Sequence, residues 1–105
     1  MSQTSFRAGS GSYQEVRPLT ITISAIPGLT TVTETFSASA ANITTGAIAD
    51  LTTDSICAAA FSAPVAGLVL EQCVISATGT LQLTMSNVSV TQIASQSLQL
   101  NLIVL

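Results

Sequence analysis

Histidine, lysine and tryptophan are missing from this 105-residue chain, and its charge rests on two arginines and five carboxylates. Each absence removes a class of function. General acid–base and nucleophilic catalysis draw mainly on His, Lys, paired carboxylates or a Cys in a charged setting. The 29 serines and threonines offer hydroxyls in plenty, but nothing obvious to activate one. There is no glycine-rich phosphate loop, so the chain is read as a non-enzyme with no cofactor. Binding to DNA or RNA through counterion release needs several Lys or Arg contacts. Nucleic acid is therefore not expected as a partner.

Aromatic residues are also scarce: Phe6, Tyr13, Phe36 and Phe61 are all there are. A core of Val, Ile, Leu and Ala buries less area per residue than one with large rings. A domain of this size then gains from further burial between subunits, and an oligomer or assembly component is expected. The charges are unevenly placed. Arg7 and Arg17 stand near the start, whereas Glu34, Asp50, Asp54 and Glu71 follow Pro18 with no basic residue among them. An N-terminal arm lying on the acidic body of a neighbour would use that split; solvated charges on a tail would not need it.

Cysteine is limited to Cys57 and Cys73, not in a CxxC pair and with no His to complete a zinc set. Free thiols acting as small hydrophobes are expected, with a disulfide between strands as the alternative in an oxidising compartment. No basic start followed by an apolar stretch marks a signal peptide. The longest nearly apolar run, Ile56 to Leu70, is broken by Ser62, Pro64 and Gly67. It is too short to span a bilayer as a helix, and no membrane partner is expected.

What is present is strand chemistry. Residues 1–18 have no sustained period and read as an extended arm, with Phe6 and Tyr13 as anchors if it docks. From residue 19 the pattern becomes a β-domain running to 105. Leu19, Ile21 and Ile23 alternate with Thr20, Thr22 and Ser24, ending at the turn Ile26-Pro27-Gly28. Thr31 to Ser37 places Val32 and Phe36 on one face together with Glu34, which predicts a half-exposed face or a subunit contact. Residues 38–49 read as loop. Leu51 to Phe61 is nearly continuous in apolar positions and predicts a buried central strand. Leu68 to Ser76 and the alternating Leu81, Leu83, Met85 form a hairpin across Ala77-Thr78-Gly79. A last strand from Ser97 turns Leu98, Leu100 and Leu102 inward, after which Ile103, Val104 and Leu105 leave the alternation. Such a run would be wasted in solvent. It predicts burial against the core or a partner. Together these segments predict an all-β chain, an antiparallel β-sandwich or jelly roll.

Three constellations invite a sharper reading. Asp50 and Asp54 are spaced like weak cation ligands, but calcium takes six or more oxygens and a solvated loop edge accounts for them; no metal is expected. Glu34 and Glu71 fall on different strands and would be a glycosidase pair only if they converged. Asn42-Ile43-Thr44 and Asn87-Val88-Ser89 match the glycosylation sequon, as chance permits in a chain this rich in Ser and Thr.

The layout from Ile21 onward resembles the small β-sandwich virion proteins of tailed bacteriophages, of the head decoration or cement type. The similarity lies in ITISAI, TTVTETFSAS and the block GLVLEQCVISATGTLQLTMSNVSV. In that block Gly67, Leu68, Val74, Ser76, Ala77, Thr80, Leu81 and Asn87 occupy recurrent places, and Met85 stands where an aromatic residue is usual. The resemblance implies a subunit on the outside of a capsid, often a homotrimer, that bridges neighbouring major capsid proteins after assembly in the host cytoplasm. Another virion part (tail, neck or fibre module) and a surface- or carbohydrate-binding β-module are the alternatives. On the cement reading the interface residues are Phe6, Arg7, Tyr13 and Arg17 of the arm, and Leu102, Ile103, Val104 and Leu105 of the C-terminal strand.

Overall fold

The computed structural model describes residues 15–105, and alternation of β-branched and small polar residues has folded them into six strands. These are β1 (Glu15–Ile23), β2 (Thr31–Ser37), β3 (Cys57–Phe61), β4 (Leu68–Ala77), β5 (Thr80–Asn87) and β6 (Gln96–Val104). They form two three-stranded antiparallel sheets, ordered β1-β6-β3 and β2-β5-β4. Of the two architectures expected, this is the β-sandwich.

The period of two decides what lies between the sheets. Leu19, Ile21 and Ile23 of β1 and Leu100 and Leu102 of β6 meet Phe36 of β2, Ile75 of β4 and Leu81, Leu83 and Met85 of β5. Loop residues Ile26, Ile43, Ile48, Leu51 and Ile93 close the cluster. Phe36 is the largest fully buried side chain. No helix among the described residues is long and apolar enough to cross a membrane.

Three expectations need correction. The arm boundary at residue 18 falls inside β1, because Glu15 to Pro18 already pair with Val104 to Asn101. The strand expected over Leu51–Phe61 is confined to Cys57–Phe61, and it is an edge strand rather than a central one. Its first half is diverted by local side chains. The Thr52 amide donates to Ser55 Oγ at 3.0 Å and the Asp54 amide to Thr52 Oγ1 at 3.3 Å, turn chemistry that competes with a ladder. By contrast, the face of Val32 and Glu34 is half-exposed as expected, and Glu34 there accepts bonds from the Ser24 amide and hydroxyl at 3.1–3.2 Å. Finally, the alternation does not stop at Leu102. Val104 packs against the core, while Ile103 continues the outward series and Leu105 is exposed.

With no lysine to guard it, the β1 edge is covered by the chain itself. The segment around Ile43 lies along β1, with Thr22 N–H donating to the Asn42 carbonyl and Thr44 N–H to the Thr20 carbonyl, both at 2.9 Å. At one end, the 26–30 turn and the 87–93 loop interlock. Ile26 and Ile93 exchange backbone bonds, and Leu29 N–H donates to the Ser89 carbonyl. Gly28 is required there, since a Cβ would sit 2.3 Å from the Val90 carbonyl oxygen.

Candidate interaction surface

The outer face of the β1-β6-β3 sheet changes character along its length. Its rows follow from the strand register. Thr22 lies beside Ser97 and Thr20 beside Gln99; then Pro18, Asn101 and Ala60 share a row, and Val16, Ile103 and Ala58 the next. The first two rows are polar, as a solvated face should be. The last is wholly apolar. Ile56 and Leu105 extend it, joined by a bond from Leu105 N–H to the Ile56 carbonyl at 2.9 Å. Val16, Ile56 and Leu105 are 56%, 65% and 60% exposed, so these side chains are not spent on the chain's own core.

Around this row the charges are turned elsewhere. Arg17 shares the parity of Leu19 and Ile21, which directs it to the inner side, where it closes the open end of the sandwich. Its guanidinium holds Asp50 through both carboxylate oxygens, at 2.6 and 2.9 Å, and also reaches Glu15 and the Ala47 carbonyl. The bidentate bond to Asp50, then that to Glu15, raises the Arg17 pKa further above its usual range. The bond from Arg17, helped by a backbone bond, holds Asp50 down at about 2. Arg17 therefore has carboxylate partners within its own chain.

Of the residues expected at an interface, Leu102 is fully buried in the chain's own core and Val104 packs against it. Ile103 and Leu105 face outward. Phe6, Arg7 and Tyr13 lie outside the described residues. Sequence reasoning missed Val16, which is isolated between Glu15 and Arg17, and Ile56, which reads as the start of the apolar run that continues through Cys57 to Phe61. Only the antiparallel register brings them beside Ile103 and Leu105.

A second exposed apolar group sits at the opposite end of the sandwich. Leu29, Val88 and Val90 are 67%, 61% and 83% exposed on the interlocked loops. Leu29 has a positive φ of 59°. That conformation costs a branched side chain about 1–2 kcal/mol where glycine would pay nothing.

The chemical candidates do not assemble. Asp50 is taken by Arg17, and among the described residues no group of three or more His, Cys, Asp or Glu side chains could hold a metal. Glu34 and Glu71 belong to opposite faces of the β2-β5-β4 sheet. Glu34 shares the inner side with Phe36, whereas Glu71 accepts from Ser86, which pairs with the outward Thr31. Glu71 stands where the β4 register shifts between Leu70 and Gln72. The Thr31–Ser86–Glu71 row thus ties three strands across a bulge, beside an open cleft of about 270 Å³. Asn87 of the second sequon is 1% exposed with its amide fully engaged, donating to the carbonyls of Ile26, Pro27 and Thr91 and accepting from Ser89.

Comparison of the chain with protein-family models, curated proteins and solved structures finds no match.

Proposed function

We propose that this chain is a structural, protein-binding module of a virion: a capsid decoration subunit that associates with copies of itself and bridges major capsid proteins. The observation that carries the reading is the apolar row Val16–Ile103–Ala58 with Ile56 and Leu105, on a sheet face that is polar two rows away. Exposed apolar surface confined to one end of a face is a docking surface by the ordinary economics of hydration. A flat strand face free of long charged side chains suits a second copy of the same chain in a closed ring.

The Leu29, Val88 and Val90 group at the other end gives the module a second contact, which a bridging subunit needs. A strained leucine exposed to water contributes nothing evident to folding, and partner binding gives it a use. Modest single interfaces suffice when many copies act together on one shell. The likeness of the strand and turn pattern to phage head proteins supplies the identity of that shell.

The test is add-back. Phage heads that encode this chain, stripped of it, should take the purified protein up to a copy number comparable with that of the major capsid protein. They should also gain resistance to heat. Uptake of only a few copies, confined to the tail or neck, would move the reading to another virion component.

A further inference from the structure

The edges β3 and β4 belong to different sheets and share no strand ladder, yet they carry the chain's two cysteines face to face. Cys57 Sγ lies 3.4 Å from Cys73 Sγ, and Cys57 Sγ is 4.0 Å from the Cys73 carbonyl oxygen. Both thiols are half-buried, on the inward side of their strands and against the core cluster. A disulfide needs the sulfurs at about 2.05 Å. Closing that gap asks for a side-chain rotation and a small approach of two edge strands.

We propose that Cys57 and Cys73 are a redox-sensitive cross-linking site, forming a disulfide that staples the two sheets together when the chain meets a low-molecular-weight disulfide such as oxidised glutathione. The Cys57 thiolate attacks one sulfur of oxidised glutathione; that S–S bond breaks and one glutathione thiolate leaves to take up a proton. Cys73 then loses its proton to solvent and attacks the Cys57 sulfur, expelling the second glutathione thiolate. Two protein thiols are oxidised and one glutathione disulfide is reduced to two thiols, so atoms and electrons balance. Burial, and then the hydrogen bond and charge of Cys57, push the Cys73 thiol up, which disfavours it as the first nucleophile. The chain would leave a reducing compartment with free thiols and become cross-linked outside it.

The cross-link joins positions 16 residues apart and restricts the unfolded chain more than the folded one. This inference stands on the thiol geometry and holds whatever the partner of the module is. The test uses the purified full-length protein equilibrated with oxidised or reduced glutathione, then denatured and alkylated. The expected oxidised product is a monomer lighter by two hydrogens, with no alkyl adduct and a Tm about 10 °C above the reduced form. Cys57→Ser and Cys73→Ser should each abolish the redox-dependent shift. Two alkylatable thiols after oxidation, a stable glutathione adduct, covalent dimers, or an unchanged or lowered Tm in the wild type would each overturn the proposal.

Discussion

Asn87 shows how much one polar side chain can organise when it is buried. Its amide gathers carbonyls from the 26–27 turn and from Thr91, and its carbonyl oxygen receives Ser89. Removing it strands several buried groups at once. Asn87→Ala should therefore cost about 3 kcal/mol in urea denaturation, well beyond the roughly 1 kcal/mol of an average hydrogen bond; a loss under 1 kcal/mol would mean that water replaces it. Leu29 is the opposite case, large and apolar but outside the core. Leu29→Gly removes the left-handed strain at the cost of added unfolded-state freedom, so stability should stay within about 1 kcal/mol of the wild type or rise. A loss above 2 kcal/mol would show that the leucine serves the fold. For Asp50 the sign follows from its depressed pKa. The contribution is present above pH 4 and is lost as pH falls through about 2. Unfolding curves of the wild type should weaken across that window and those of Asp50→Asn should weaken less, whereas parallel pH profiles would show that the ion pair is too solvated to matter.

The elements were legible in the sequence to the degree that alternation alone decides them. Leu19-Thr20-Ile21-Thr22-Ile23 and Leu81-Gln82-Leu83-Thr84-Met85 announce strands with one wet face, and the 77–79 turn announces their hairpin partner. Leu51–Phe61 misled because its apolar content is real but its backbone is committed locally, through Thr52 and Ser55. Glu34 could be placed on the half-exposed face of Val32, but not its partner, because Ser24 follows β1 and is distant in the chain. At this scale Phe36 is the firmest test of the packing. Its full burial between the sheets predicts a loss of about 3–5 kcal/mol for Phe36→Ala in chemical denaturation. A loss near 1 kcal/mol would mean that the sheets are not held by this core.

At the scale of the whole molecule, the surface matters more than the core. The candidate interface was half legible. An apolar C-terminus called for cover, but pattern alone could not say that Leu102 and Val104 turn inward while Ile103 and Leu105 turn outward, nor that Val16 and Ile56 lie beside them. Register across three strands supplies that. The result is a sandwich whose β1 edge is covered by the segment around Ile43 and whose exposed apolar residues, among those described, gather at its two ends. Such a distribution fits the proposed role of a subunit held between others. Light scattering on the purified chain, beside a variant carrying Ile56→Glu and Leu105→Glu, tests this most directly. A trimer is expected for the wild type, and a monomer for the variant with its cooperative unfolding retained. A wild type that stays monomeric at high concentration, or a variant that remains trimeric, would contradict that role.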